Sequence, residues 1–598
     1  MAGFRFGILR RLETALTRTA IFLLAFTALA AGQQVTVERG VKVAMRDGVI
    51  LRADVYRPAG SGHFPVLLER TPYDKRAGVA FGYRGAEAGY VVIFQDTRGR
   101  YSSEGEWYPF RYESQDGYDS VEWAASLPYS NGKVGMFGGS YVGATQMLAA
   151  IADPPHLAGI CPVVTASNYH NGWTYQGGAF EQWFNESWTS GLAQDTLNRK
   201  VQSATNAMAG VWKLPMAAYP LFNSTAGSPK LDSAEELAPY FLDWLAHPSY
   251  DDYWKRWSIE DHYPDIKVPA LHIAAWYDIF HGGALRNYEG IKAHGGSEEA
   301  RSGQHLLVTI GGHAGGGRKI GEVDFGSAAE QFNEDRLTLE WYDYLFKGVQ
   351  NYFAKKPVQI FVMGANQWRD EDEWPLARAR ETKYYLHAGK GANSVRGDGS
   401  LSAEVPGPEA VDSYVYDPAH PVATIGGPLC CDGVHLPAGP RDQRPDEARD
   451  DVLIYSTKPF EKDLEVTGRV SLELFAKSSA VDTDFTAKLV DVWPNGFAQN
   501  LTEGIVRARY CNSQETAALL NPGEIYKFAI DLWSTSNVFL KGHQLRLEIS
   551  SSNFPRFNRN LNTGLAAEFD DHFVPATNTI LHDADHPSAL VLPIVGSK

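Results

Sequence analysis

A serine hydroxyl becomes a working nucleophile only when a base removes its proton and an acid orients that base. The segment Val134-Gly135-Met136-Phe137-Gly138-Gly139-Ser140-Tyr141-Val142-Gly143 offers such a serine. A short apolar run enters glycines, reaches Ser140 and continues as a helical pattern. This is the form of a nucleophile elbow, a sharp strand-to-helix turn that holds the hydroxyl above the sheet with the helix N-terminus beneath it. The glycines suit a turn crowded by neighbouring backbone. The wording departs from G-x-S-x-G, because Val142 stands at +2 and the glycine, Gly143, at +3.

An acid and a base follow in the order such a triad needs. The apolar run Val268–Ala275 ends in Trp276-Tyr277-Asp278, and His305–Ile310 ends in Gly311-Gly312-His313-Ala314-Gly315. Each member thus follows a predicted strand, which places all three along the ligand-binding edge of a parallel sheet. Singly, Asp278 reads as a turn carboxylate and His313 as a loop histidine; their ordered occurrence with Ser140 makes the triad the stronger reading. Gly311 to Gly317 lacks the Lys-Ser/Thr ending of a phosphate cradle. His582-Asp583-Ala584-Asp585-His586 near the C-terminus reads as a solvated turn. The four cysteines are too few for a disulfide framework, and adjacent Cys430 and Cys431 lack C-x-x-C spacing. They are expected as buried thiols or at most one bridge, with no metal and no cofactor.

The elements that must position these residues are visible in the hydrophobic pattern. Val41-Val43-Met45, the Asp47-Gly48 turn and Leu51-Ala53-Val55 predict a β-hairpin. Val66–Leu68 and Val91–Phe94 are continuous apolar runs suited to strands buried on both faces, with helical stretches at Asp119–Leu127 and Val142–Ala152 between and after them. This alternation predicts a mostly parallel α/β sheet with helices on both faces. Residues 166–258 hold seven of the fifteen tryptophans and no strand runs, which predicts a helical insertion with a helix over Glu235–Ala246. The α/β pattern resumes at Val268. From Pro357 the alternation of Leu472-Leu474, Tyr526-Phe528-Ile530-Leu532 and Leu545-Leu547-Ile549 predicts an all-β sandwich or jelly roll. The expected organisation is a signal segment at 1–30, an α/β domain at 33–165 and 259–352, a cap at 166–258 and a β domain at 357–598.

Composition excludes other classes. The 598 residues are 44% hydrophobic and 21% charged, a globular profile rather than a disordered or fibrous one. With 55 Lys and Arg against 71 Asp and Glu, the net charge of −16 offers no field for nucleic acid. Arg5, Arg10, Arg11 and Arg18 flank the apolar run Thr19–Ala31, with Ala28-Leu29-Ala30 as a small-x-small site. That pattern predicts a cleaved secretory signal, and thirteen apolar residues fall short of the roughly twenty needed to span a bilayer. Export and no stable membrane span are therefore expected; the oligomeric state is left open.

The combination of segments resembles the cocaine esterase, α-amino-acid ester hydrolase and X-Pro dipeptidyl-peptidase family of serine hydrolases. The matching phrases are Arg70-Thr71-Pro72-Tyr73-Asp74-Lys75, Gln95-Asp96-Thr97-Arg98-Gly99-Arg100 with Ser103-Glu104-Gly105, the Ser140 elbow with its +3 glycine, and Trp276-Tyr277-Asp278. Asp482-Thr483-Asp484-Phe485 and Ser550-Ser551-Ser552-Asn553-Phe554-Pro555-Arg556-Phe557 extend the resemblance into the β region. It implies an α/β-hydrolase domain, a helical cap and a C-terminal jelly roll. It also implies Ser140 as nucleophile, His313 as base, Asp278 as orienting acid, and the Tyr73 phenol with the Tyr141 backbone N–H as oxyanion hole. Before the base, Gly311-Gly312-His313 is shorter than the family's Gly-Pro-Trp-x-His.

The α-amino-acid ester hydrolases hold a substrate ammonium with carboxylates, part of them just after the triad acid. Here Ile279, Phe280 and His281 occupy that stretch. Trp183, Trp276 and Phe280 are the expected pocket residues, favouring an apolar or aromatic acyl group of a small ester or amide substrate. The expected activity is carboxylic ester hydrolysis through an acyl-enzyme. The alternatives are peptidase or acylase chemistry on the same triad and, from another class, a non-catalytic carbohydrate-binding protein.

Overall fold

In the computed structural model, residues 34–203, 237–313, 315–431, 433–566 and 570–596 are described. The expected signal segment and the middle of the expected cap, including Trp212, lie outside them.

The hairpin forms as the alternation predicts. Strand β1 (Val35–Ala44) pairs antiparallel with β2 (Ile50–Pro58), with Val43 opposite Leu51 and Gly48 at φ 87° in the turn. The continuous apolar runs become β3 (Phe64–Thr71) and β4 (Val91–Asp96), followed by β5 (Ser130–Gly139), β6 (Leu157–Val163), β7 (Ala270–Tyr277) and β8 (Gln304–Gly312). Two more strands, β9 (Val358–Val362) and β10 (Gln367–Glu371), complete a ten-stranded sheet in the order β1-β2-β4-β3-β5-β6-β7-β8-β9-β10. Pairings from β4 through β9 are parallel, and those at both ends are antiparallel.

Helices cover both faces. Residues of α1 (Val79–Glu87) and α7 (Glu334–Lys347) pack with Leu67, Val92 and Ile273 on one side. Those of α2 (Glu113–Ala125) and α3 (Tyr141–Ile151) pack with Val66, Leu68 and Ile93 on the other. A buried helix all of whose first ten residues lack water, as in α3, needs no polar face.

Between β6 and β7 lie a two-residue ribbon (Tyr175–Gln176 with Ala179–Phe180), α4 (Gln182–Ser203) and α5 (Pro239–Ala246). The ribbon is a small addition to the expected all-helical insertion. Helix α6 (His281–His294) follows β7.

The C-terminal part forms a separate eleven-stranded sheet centred on the long strand Leu464–Ser478, which pairs with Tyr526–Phe539, Ala576–Leu581 and Ala589–Val595. The chain is strand from Val358 onward as expected, but strand pairing divides it between the two sheets. Residues 358–371, expected to open it, add to the first sheet, because Leu306 to Val308 of β8 offer a parallel edge to Val358–Ile360. One apolar core then joins the two sheets, with Trp276, Ile360 and Phe361 beside Leu472, Phe528 and Leu532.

Candidate active site

The turn after β5 holds Ser140 at φ 62° and ψ −128°, a left-handed backbone that few non-glycine residues adopt. The flanking glycines make room for it. A Cβ on Gly138, itself at φ 115°, would lie 2.5 Å from Val142 Cγ1. A Cβ on Gly143 would lie 2.7 Å from Thr165 Cβ, so the +3 glycine lets α3 rest on the chain leaving β6. The Ser140 N–H donates to Val163 O at 2.9 Å, tying the elbow to β6. Tyr141 begins α3, where first-turn N–H groups have no intrahelical acceptor.

The ends of β7 and β8 bring the other two residues to this turn. His313 Nε2 lies 2.8 Å from Ser140 Oγ, and His313 Nδ1 lies 2.6 Å from Asp278 Oδ2. The Asp278 side chain is fully buried, and its Oδ1 accepts the Phe280 N–H at 2.7 Å. That second bond fixes the carboxylate plane. The acid therefore orients Nδ1–H, leaving the Nε2 lone pair for the serine proton.

Tyr73 also stands beside the serine. Its hydroxyl accepts from Trp188 Nε1 at 2.9 Å and lies beside Ser140 and the Tyr141 amide. Burial of this hydroxyl raises its pKa, although solvent reaches 36% of the residue. The phenol thus keeps its proton at neutral pH and can donate it as a hydrogen bond. The family phrases act as its mount. Buried Arg100 donates to Pro72 O at 3.0 Å and to Leu192 O of α4 at 2.9 Å, joining the Tyr73 turn to the cap. Lys75 binds Asp96 through its backbone N–H at 2.8 Å and its ammonium at 3.2 Å. Beneath the elbow, fully buried Arg70 pairs with Glu113 at 2.8 Å, and Glu113 accepts from Tyr141 Oη at 3.0 Å.

Of the expected pocket residues, Phe280 stands at the site. Its ring meets His313 edge-on at 5.2 Å and stacks on Trp173 at 4.4 Å. Trp276 stands elsewhere. The backbone N–H of Trp183 donates to Pro555 O at 3.0 Å, and Phe184 and Trp188 of the same helix, one i,i+4 pair, meet Phe280 and Tyr73 beside the triad. Trp276 points to the opposite face of β7, where its Nε1 donates to Phe361 O at 2.7 Å in the inter-sheet core. Trp173, Phe184 and Trp188 are thus the wall that the sequence reading missed; the 184/188 helical spacing was its available signal.

The β domain supplies the remaining wall. There Gly427 and Gly439 pair through their backbones, and a Cβ on Gly312, the last residue of β8, would sit 3.9 Å from Ala438 Cβ. Within segment 427–440 Cys430 and Cys431 are joined as one disulfide, Cys430 buried against the aromatic cluster and Cys431 exposed. The two sulfurs and a His313 ring nitrogen lie within 4.8 Å of one another. Of the 582–586 stretch, residues 583–586 form the solvated turn expected, with Ala584 and Asp585 exposed, and His582 alone departs from it. His582 is fully buried, bonding Asp412 at 2.9 Å and Glu409 at 3.2 Å, because Ala576–Leu581 carries it into the sheet.

A strained serine on a sheet edge, a histidine in reach of it and a buried carboxylate behind the ring define a serine hydrolase of the α/β-hydrolase fold. Residues 47–315 match the family model described as X-Pro dipeptidyl-peptidase (S15 family), and residues 351–591 match its C-terminal non-catalytic domain. The chain is 38% identical to "Cocaine esterase" of Rhodococcus sp. (strain MB1 Bresler) over 94% of this chain and 99% of that one. It is 26% identical to "Putative serine esterase Mb1866c" of Mycobacterium bovis over 86% and 90% of the two chains. Among solved structures, an aminopeptidase from a marine sediment Thaumarchaeota archaeon superposes with TM-score 0.79 at 25% identity, covering 94% of this chain and 97% of that one. An α-amino acid ester hydrolase shares the fold at TM-score 0.77, 24% identity and coverage of 94% and 97%. The protein belongs to the cocaine esterase and X-Pro dipeptidyl-peptidase family of serine hydrolases.

Proposed function

We propose that this chain is an exported hydrolase that cleaves carboxylic esters of small molecules through a covalent acyl-enzyme. Ser140 Oγ attacks the ester carbonyl while His313 Nε2 takes its proton. The Tyr73 hydroxyl and the Tyr141 N–H donate to the developing oxyanion. His313 returns the proton to the departing alcohol, then deprotonates the water that releases the acid, and Asp278 holds the ring throughout. The observation that carries the reading is the unbroken chain Asp278–His313–Ser140, with bonds of 2.6 and 2.8 Å. Relatives named as esterases support the ester class, and the Trp173–Phe280 stack favours an apolar or aromatic acyl group.

A fluorophosphonate probe tests it. The expected result is one stoichiometric adduct mapped to Ser140 with loss of para-nitrophenyl ester turnover; no adduct on the native protein would favour a binding protein. Amide cleavage on the same triad is the second reading, supported by the S15 match and the aminopeptidase neighbour. Comparing esters with X-Pro-anilides separates the two, since only a peptidase must protonate an amine leaving group efficiently. An α-amino ester turned over far faster than its des-amino partner would likewise favour an ammonium-binding pocket. Export rests on the Arg-rich start and the Thr19–Ala31 run, and intact-mass analysis of secreted protein lacking about thirty residues tests it.

A further inference from the structure

The Cys430–Cys431 pair has no part in the chemistry proposed above, yet it is built against the base of the triad. Three features set it apart from a buried structural bridge. The two cysteines are neighbours in sequence, so the bond closes no loop of chain whose entropy it could restrict. Cys431 is exposed, so a reductant can approach the pair from solvent. Both sulfurs and a His313 ring nitrogen lie within 4.8 Å of one another, so side-chain shifts of about 1 Å bring them to the roughly 3.5–3.8 Å spacing of ligands on one tetrahedral ion with bonds of about 2.0–2.3 Å to nitrogen and sulfur. The pair is placed by a loop of the β domain, whose Gly427–Gly439 pairing holds it beside the chain leaving β8.

We propose that Cys430, Cys431 and His313 form a redox-gated site for a soft divalent cation of the zinc or cadmium class, and that occupancy halts hydrolysis. In the disulfide form the sulfurs are bonded to each other and offer no thiolate. A dithiol reductant transfers two electrons to the S–S bond, which breaks. Two protons complete the two thiols, and the reductant leaves as its own disulfide. The cation then displaces both thiol protons to form two metal–sulfur bonds, and an imidazole lone pair supplies a third ligand. Because Nδ1 is held by Asp278, the available lone pair is Nε2, the one that must otherwise accept the Ser140 proton. Dioxygen, taking two electrons from the two thiolates and two protons from water to become hydrogen peroxide, re-forms the S–S bond, expels the cation and returns the base to the serine. The inhibitory half rests on His313 being the general base; the binding half does not.

The test uses the full protein, divided into an air-oxidised sample and one reduced with a dithiol and desalted anaerobically. Each is titrated with cadmium or zinc chloride while ester turnover and the ultraviolet cadmium–thiolate band are followed. The expected result is a band saturating at one ion per chain and a loss of turnover of about tenfold or more, both in the reduced sample alone. Chelation followed by reoxidation is expected to restore the starting rate. In Cys431→Ser the band should weaken and the ratio of cadmium-free to cadmium-inhibited rates should approach one. Equal inhibition of both samples, no band on reduction, or a band with unaltered turnover would each overturn the proposal. If the acyl-enzyme reading itself fails, turnover is absent before any metal is added, while the band still reports the site.

Discussion

At the scale of single residues, the site separates groups that act from groups that aim them. Ser140→Ala should abolish ester turnover while thermal melting stays near that of the parent, since Asp278 still holds His313 and Trp188 still holds the Tyr73 hydroxyl. A melting point several degrees lower would mean that the hydroxyl is structural. Tyr73→Phe keeps the ring but removes the donor aimed at the oxyanion, so kcat should fall about 10²-fold with little change in KM. An unchanged kcat would remove Tyr73 from the mechanism. Glu69, half-buried near the elbow with its carboxylate 3.5 Å from where a Gly138 Cβ would stand, has its pKa raised from 4.5 to about 8 by withdrawal from water and by the charges of Glu334 and Asp335. Between these values the folded protein keeps a proton that the unfolded chain releases, so this group's contribution to stability falls as pH rises from about 4.5 to 8. Solvent reaches part of the side chain, which moderates the slope. Glu69→Gln lacks the titration, so the variant's melting point should gain on the parent's from pH 5 to pH 9; parallel melting profiles would refute the assignment.

At the scale of elements, what was readable in the sequence is what local periodicity encodes. Ser140, Asp278 and His313 each end an apolar run, and such runs identify strands whatever their neighbours are. The shorter approach to His313 proved no obstacle, because β8 runs to Gly312 and delivers the ring directly. Periodicity is mute about phase where aromatic residues crowd together. Trp183 and Phe184 differ by one position, and only the fold shows that the Phe184 ring meets Phe280 beside the triad. Strand partners are equally silent in the sequence, so the attachment of Val358–Glu371 to the first sheet and the nearness of Cys430 to His313 emerged only from the fold. Gly143 offers an element-scale test. A methyl group there would overlap Thr165, so Gly143→Ala should cost about 1–3 kcal/mol in chemical denaturation and lower kcat by displacing α3 under the serine. Pairing it with Thr165→Ser, which removes one of the crowding atoms, should recover part of both.

At the scale of the molecule, Arg556 is the strut between the β domain and the cap. It is 1% exposed, binds Glu503 at 2.6 Å, and reaches Gln176 at 3.0 Å and Glu181 at 3.4 Å. Removing it leaves two carboxylates buried together, so Arg556→Ala should cost about 3–5 kcal/mol in denaturant unfolding; a loss below about 1 kcal/mol would show that water enters to replace it. The segment 427–440 carries a further consequence. Because the partition behind the imidazole is furnished by chain more than a hundred residues downstream, the hydrolase half cannot be harvested as a free-standing biocatalyst by trimming at Glu371. Such a fragment would keep its three reacting side chains in one piece of polypeptide, yet present them in a chamber with one side missing.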